Sequence, residues 1–343
     1  MTHTTDSLRP DIAVDPFQER SPARARRRMQ ILGAQFDFES GSRHLLGLVD
    51  SAYSGLPQHR LGGAVPELRI TLDATPSARP GSSREPPLGM LSGAGFLCGA
   101  TARSNFVVMA PAARSALVVV PQEMLGNDYR IRYELIEFAV FTLAQRVQGL
   151  VPLHAACVGR AGRGLLLMGG SGAGKSTLAL HCLLAGFEFV SEDSTFVAAD
   201  SMSATGVANF LHLRENSLRY LRPGAAAAMI RKSPVIRRRS GAEKFEVDLR
   251  RTGYRLAAAP LKLDALIFIS KEPAGTRTLL EPLRRSRVLE YLVASQPYAA
   301  SLREWRAFKK NAARLDAFEM RRGRHPQEAV AALQVLLANR GGR

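Results

Sequence analysis

The segment Gly169-Gly-Ser-Gly-Ala-Gly-Lys-Ser176 (GGSGAGKS) is a glycine-rich loop that matches the pattern G-x-x-x-x-G-K-[ST]. It follows the apolar run 164–168 (GLLLM) and opens an amphipathic segment that starts at Lys175 (KSTLALHCLL). Glycines let successive backbone N–H groups turn toward an anion, and the N-terminus of a helix adds the positive end of its dipole. The segment therefore predicts a phosphate-binding loop between a strand and a helix. The alternative is a glycine-rich turn without a ligand.

This loop predicts ATP and Mg²⁺ as cofactors. Lys175 is expected to reach the β- and γ-phosphates, and the Ser176 hydroxyl is expected to bind Mg²⁺. The predicted nucleotide-binding residues are Gly169, Gly170, Ser171, Gly172, Ala173, Gly174, Lys175, Ser176 and Thr177.

The flanks of the loop predict an α/β core. Strand, loop, helix and strand in succession are typical of a βαβ unit and a parallel sheet. The predicted helix covers 175–185, and the predicted strands cover 153–158, 164–168, 187–190, 206–213, 244–249 and 263–270. The last strand (LDALIFIS) is apolar enough to be central in the sheet.

The remaining chain divides by composition. Residues 1–28 have few large apolar side chains and are predicted to be a disordered tail. Residues 29–150 form a predicted β-rich domain, a small antiparallel sheet with a final helix over 128–150. Its strands are expected at 31–38, 68–72, 105–110 and 115–121. The core then covers 151–283, and 284–343 is a predicted helical region.

The composition excludes several classes of protein. With 46% hydrophobic and 22% charged residues among 343, the chain is neither wholly disordered nor collagen-like. No apolar run reaches the roughly 18 residues of a membrane span, and the N-terminus carries no secretory signal. Cys98, Cys157 and Cys182 are too few and too widely spaced for a disulfide or metal framework. We expect a cytoplasmic protein with free, mostly buried thiols and no membrane partner.

The net charge of +17 first suggests nucleic acid as the partner. The excess, however, lies C-terminal to residue 218, after the loop. There Arg237, Arg238 and Arg239 adjoin a Ser-Gly turn, and Lys244 opens the next strand. A basic loop of this kind is predicted to grip the γ-phosphate or an acidic substrate segment. The alternative is a solvated run of charges, and nucleic acid is the less favoured partner.

Two further signals flank the loop. His154 starts a predicted strand 21 residues before Lys175, and Glu192-Asp193 close the strand after the predicted helix. With these three elements, 150–270 resembles the HPr kinase/phosphorylase family, whose core is similar to phosphoenolpyruvate carboxykinase. The resemblance implies an α/β P-loop kinase core of this type, preceded here by a small β-rich domain.

The resemblance also implies roles for these residues. Glu192 takes the position of the family's catalytic carboxylate and Asp193 would help to hold Mg²⁺. The family usually has Asp-Asp, and the longer Glu leaves the two roles exchangeable. Beside the phosphates, His154 would stabilise the transferring charge or hydrogen-bond the acidic pair; its alternative is a core histidine.

The implied function is an ATP-dependent kinase that phosphorylates a serine of a protein or peptide. The alternatives are a small-molecule kinase on the same fold and a non-catalytic nucleotide-binding regulator with a basic partner-binding surface. The family's phosphorylase signature is not recognisable, so dephosphorylation is not predicted. The resemblance also implies a homo-oligomer, of a size that it does not fix.

Overall fold

A computed structural model describes residues 24–76, 89–100, 105–238, 240–276 and 278–339. Its strands are β1 (Ala25–Ile31), β2 (Ala34–Ser40), β3 (Glu67–Thr75), β4 (Gly89–Gly93), β5 (Phe96–Ala100), β6 (Phe106–Ala110), β7 (Ser115–Pro121), β8 (Leu150–Leu153), β9 (Ala155–Arg160), β10 (Arg163–Met168), β11 (Glu188–Ser191), β12 (Thr195–Ala198), β13 (Ser203–Gly206), β14 (Phe210–Leu213), β15 (Val235–Arg237), β16 (Glu243–Asp248), β17 (Leu261–Pro273), β18 (Leu280–Pro282) and β19 (Asp316–Arg322). Its helices are α1 (Arg43–Tyr53), α2 (Asp128–Arg130), α3 (Glu137–Gln148), α4 (Lys175–Leu184), α5 (Glu215–Leu218), α6 (Ala225–Lys232), α7 (Arg285–Ser295), α8 (Pro297–Ala300), α9 (Trp305–Ala312) and α10 (Pro326–Ala338). The protein is mixed α/β.

The N-terminal sheet is mixed, with the order β1-β2-β3-β7-β6-β5-β4. The prediction of an antiparallel sheet is wrong for β2, β3 and β7, which pair in parallel. For β2 and β3 the cause is α1, a helix missed in the sequence, which follows β2 and carries the chain across before β3 begins, whereas β7 reaches β3 after β4, β5 and β6. Ser42 caps it by accepting a hydrogen bond from the Leu45 N–H group, and its Leu45, Val49 and Ala52 are buried.

The predicted disordered tail over 1–28 is wrong for its last residues, while 1–23 lie outside the described residues. Ala25–Arg28 belong to β1, which pairs antiparallel with β2. The arginines here meet acidic partners: Arg26 lies 2.9 Å from Glu39 and Arg27 lies 2.9 Å from Asp50. Composition alone does not reveal these pairings, because the partners lie on β2 and α1.

The helix predicted over 128–150 is confirmed as a continuous helical stretch through α2 and α3. Between them, Ile131–Ile136 form a π-helical segment, and Gly149 ends α3 in the left-handed region at φ 63°. The buried face of α3 packs on the N-terminal sheet in a core that also contains Phe196 and Val207. The core of the N-terminal sheet therefore continues into the second sheet.

The second sheet contains the glycine-rich loop and has the order β11-β9-β10-β17-β13-β12-β8, with β19 also on β17. β10, β17 and β19 pair in parallel, but β9 runs antiparallel between β10 and β11. The sheet is thus mixed and not parallel throughout. Leu165 and Leu167 face one buried cluster, with α4 and α10, while Leu166 and Met168 face another, with α7 and α9. Burial on both faces explains the continuous apolar run of β10.

Three predicted elements differ in this half of the chain. The strand predicted over 153–158 is broken at His154, which separates β8 from β9. The strand predicted over 206–213 is two strands, because β13 stays in the second sheet while β14 joins a small sheet of order β14-β16-β15. The region 284–343, predicted as helical, contains β19, because a place beside the long β17 buries Ala317 and Met320.

Among the described residues, no helix is long and apolar enough to cross a membrane.

Candidate active site

The glycine-rich loop connects the end of β10 to the first residue of α4. Gly172 and Gly174 adopt φ values of 76° and 105°, a region that disfavours residues with a Cβ. A Cβ on Gly169 would lie 3.0 Å from the carbonyl oxygen of Ile269 on β17. The glycines are therefore required by the backbone, and the loop lies at the C-terminal edge of the parallel strands, where ligands of α/β sheets bind.

Lys175, His154 and Asp193 form one connected group beside this loop. The Lys175 ammonium donates to the Gly169 carbonyl oxygen over 2.7 Å and to His154 Nε2 over 3.1 Å. Because an ammonium only donates, Nε2 must accept and His154 Nδ1 must carry the proton. Nδ1 lies 3.0 Å from Asp193 Oδ1, so the imidazole orients the Asp193 carboxylate.

The backbone of His154 is itself held in place. As the single residue between β8 and β9, it leaves the strand pairing, and its N–H donates over 2.7 Å to Oε1 of the buried Gln296. Partial burial lowers the pKa of His154, Asp193 opposes that shift and Lys175 adds to it. Burial also lowers the pKa of Lys175, against the attraction of Asp193 and Glu192.

Glu192 lies in a different environment from its neighbour Asp193. Its Oε1 accepts from the Ser176 hydroxyl over 2.6 Å. Its Oε2 accepts from the His212 backbone N–H over 2.8 Å and from the ring Nδ1 over 2.9 Å. The side chain is 5% exposed, so both of its oxygens are buried and hydrogen-bonded.

The chain of hydrogen bonds continues beyond His212 into the N-terminal half. The Tyr133 hydroxyl donates to Glu246 Oε1 over 2.6 Å and lies 2.9 Å from His212 Nε2. Since its only proton is used on Glu246, the hydroxyl oxygen must accept from His212 Nε2. His212 then donates from both nitrogens and is an imidazolium. Arg132 completes the chain by binding Glu246, which leaves two cations and two anions in balance.

The pKa values agree with this arrangement. Burial alone would raise the pKa of Glu192, but the charge and hydrogen bond of His212 lower it to about 2. Burial alone would also raise the pKa of Glu246, but the nearby His212 imidazolium, 3.6 Å away, and the Arg132 guanidinium lower it to about 2. Burial disfavours the His212 imidazolium, yet its pKa is raised because Glu192 and Glu246 flank it. Glu192 is therefore an ionised carboxylate at neutral pH, with both oxygens hydrogen-bonded.

A cleft of about 530 Å³ joins the loop, His154, Glu192 and Asp193. Its wall is strongly basic, and the cations that line it with Lys175 are Arg214, Arg219, Arg238, Lys244, Arg321 and Arg322. Of the predicted basic run, the structure brings Arg238 and Lys244 to the cleft. Arg237 is exposed and does not line it, and Arg239 lies outside the described residues. Burial lowers the pKa of Lys244, and Glu192 opposes that shift.

The cysteines take no part in this site. Cys157 and Cys182 are fully buried, and burial raises the pKa of the Cys157 thiol to about 12. No three His, Cys, Asp or Glu side chains cluster as a metal site in the described part of the chain. His212, Glu246 and Tyr133 are functional residues that the sequence did not predict. The one available signal was a histidine inside the apolar strand Phe210–Leu213, where a charged or polar residue needs a buried partner.

Comparisons with known proteins show a distant similarity to solved structures. No protein-family model matches the sequence, and no curated protein matches it. Among solved structures, the HPr(Ser) kinase/phosphatase from Coxiella burnetii is similar over 55% of this chain and 94% of that chain. The identity is 12% and the TM-score is 0.26. We therefore base the functional proposal on the geometry of the site.

Proposed function

We propose that the protein is an ATP-dependent phosphotransferase that phosphorylates a serine hydroxyl of a protein or peptide. The observation that carries the proposal is one cleft in which a glycine-rich loop, a lysine and a histidine-oriented carboxylate meet. Phosphoryl transfer needs these parts: backbone donors and cations for the phosphates, and a base for the acceptor.

Asp193 is the better candidate for the base. Its side chain is 37% exposed and accepts from His154, so one oxygen remains open to a substrate. Glu192 has a pKa of about 2 and no free oxygen, and it is poorly suited to take a proton. Of the two exchangeable assignments from the sequence, the geometry supports Asp193 as the base and Glu192 beside the metal.

The residues at Ser176 fit a magnesium ion. Mg²⁺ prefers hard oxygen ligands and is usually held by one or two carboxylates with phosphates and water. The Ser176 hydroxyl and Glu192 Oε1 lie 2.6 Å apart and supply such oxygens, with Asp193 next along the chain. When bound, the ion neutralises charge on the phosphate oxygens.

The reaction then proceeds as follows. The acceptor hydroxyl passes its proton to Asp193 as its oxygen bonds to the γ-phosphorus. The bond from that phosphorus to the bridging oxygen breaks, and ADP leaves with the electron pair. Lys175 stabilises negative charge on the phosphates, and His154 holds Asp193 in the orientation that accepts the proton. The basic wall with Arg238 and Lys244 would attract a polar or acidic acceptor segment.

The test uses γ-labelled ATP, Mg²⁺ and a fractionated lysate with the purified full chain. We expect label in a protein or peptide. The label should be stable in acid and removed by alkali, as a serine phosphoester is. Lys175→Ala should abolish labelling, whereas Lys310→Ala, an exposed lysine on α9, should not. Label found only in small molecules would show that the acceptor is a small molecule and not a protein or peptide. A Lys175→Ala variant with full activity would exclude the proposed site.

A further inference from the structure

The cleft extends past the glycine-rich loop to a wall of aromatic rings that the transfer reaction does not use. Tyr220 and His325 line this end, together with Pro326 and Ala329 at the start of α10. Phosphate recognition needs cations and N–H donors and gains nothing from such rings. The wall is therefore suited to bind a flat apolar group of a ligand.

The rings are held in a fixed arrangement. The Tyr220 and His325 centroids are 5.6 Å apart at 84°, and the buried His181 of α4 packs 5.3 Å from His325 at 85°. His325 Nδ1 accepts from the Gln327 N–H, so Nε2 carries the proton and donates to the Tyr220 carbonyl oxygen over 3.0 Å. With both nitrogens engaged, the ring is fixed, and it joins the segment around Tyr220 to α10.

A planar cation completes the wall. The Arg219 guanidinium carbon lies 4.6 Å from the Tyr220 ring centroid, and Nη2 donates to the Tyr220 hydroxyl over 2.6 Å. The guanidinium is exposed at the cleft, so an arriving flat group can stack against the ring or against this cation. Both surfaces favour the π face of a nucleobase.

The position of the wall relative to the loop fits a nucleotide. Thr177 follows Ser176 on the first turn of α4, and its hydroxyl lies 2.9 Å from that of Ser217. Ser217 precedes Tyr220 by three residues, so this contact connects the phosphate end of the cleft to the ring end. A triphosphate on the loop would place its sugar along Thr177 and Ser217 and its base at the rings.

We infer that Tyr220, His325 and Arg219 form the subsite for the base of a purine nucleoside triphosphate, an inference that rests on the proposed function. A purine offers more stacking area than a pyrimidine, so ATP should bind the wild-type protein more tightly than CTP. We expect this selectivity to come from the rings, because the phosphate loop would bind the same triphosphate group in ATP and in CTP.

The experiment compares ATP with inorganic tripolyphosphate, which lacks a base, by titration calorimetry on the full chain with Mg²⁺. Tyr220→Ala should weaken ATP binding by about tenfold and leave tripolyphosphate binding unchanged, because stacking on one ring is lost. Tyr220→Phe keeps the ring and should recover the affinity. Tyr298→Ala, an exposed tyrosine on α8, is the matched control and should bind both ligands as the wild type does.

Each other outcome overturns the inference. If Tyr220→Ala weakens the binding of ATP and of tripolyphosphate equally, the ring only supports the phosphate site or the fold. If it weakens neither, the base binds elsewhere. If the wild type binds tripolyphosphate and ATP equally, there is no base subsite, while the phosphate loop stands. Failure of the wild type to bind either ligand would instead refute the proposed function itself.

Discussion

Two carboxylates that are neighbours in sequence belong to different parts of this molecule. Glu192 is 5% exposed and is hydrogen-bonded to Ser176 and His212 within a charge-balanced chain that reaches Arg132. Asp193 is 37% exposed, and its Oδ1 lies 3.0 Å from Nδ1 of His154. The difference shows that a strand end can turn one acidic side chain into the interior and the next into a cleft. The buried carboxylate is suited to hold a fixed negative charge beside Ser176, and the open one is suited to accept a proton.

The largest expected effect is on the open side. Asp193→Asn removes the proposed base and should lower the phosphoryl-transfer rate by about 10²–10⁴-fold. Its unfolding free energy should change by less than about 1 kcal/mol, because the carboxylate is exposed. Single-turnover transfer with labelled ATP and urea unfolding measure the two quantities. Asp200→Asn, in an exposed turn, is the control. An active Asp193→Asn protein would remove the distinction between the neighbours.

The second effect is on the buried side and appears in stability. Glu246→Gln leaves His212 and Arg132 with less negative charge in the interior, and breaking a buried ion pair costs about 3–5 kcal/mol. Tyr133→Phe keeps all four charges and should cost only about 1 kcal/mol, the value of a typical hydrogen bond. Urea unfolding at pH 7 checks both, with Glu243→Gln on the exposed end of β16 as control. Equal costs for the two variants would show that charge balance is unimportant.

The last expected effect is a difference in acid stability between the wild type and Glu246→Gln. The folded-state pKa values of Glu192 and Glu246, about 2, lie below the ordinary value of 4.5, so their stabilisation is present above pH 4.5. It is lost as the pH falls from 4.5 to 2, on the order of 3 kcal/mol per carboxylate taken alone. Glu137 titrates outside this pH range, because burial raises its pKa to about 7.

Urea unfolding from pH 5 to pH 2 measures this loss. The wild type should lose stability steeply, and Glu246→Gln should show a shallower curve because one of the low pKa values is gone. Parallel curves for the two proteins would contradict the pKa of about 2 assigned to Glu246.

The sequence reveals the local parts of this site and not its long-range pairings. The glycine-rich loop, α4 and the strands on both sides of it follow from glycine spacing and apolar runs, which are local properties. By contrast, Glu192 meets His212 across 20 residues, and Tyr133 meets Glu246 across 113. Nothing in either segment marks its partner. Likewise β19 becomes a strand only because β17 offers an edge beside it.

The assignments of base and metal-side carboxylate show the same limit. Spacing places Glu192 and Asp193 together at a strand end but does not determine which one turns inward. That choice depends on His212, whose backbone N–H and ring both point at Glu192. The parallel pairing of β2 with β3 was missed for a related reason, because α1 was not recognised as the crossover between these two strands.

The core shared by the two large sheets has a thermodynamic consequence. Phe196 of β12 packs edge-on against Phe141 of α3 with ring centroids 5.0 Å apart, within the same buried cluster as the N-terminal sheet. Arg132 and Glu246 join the two halves again through buried charge. Neither half can unfold without exposing apolar or charged surface of the other. Heating should therefore melt the two sheets in one cooperative transition, and a chain cut near residue 150 should yield fragments that need each other to fold.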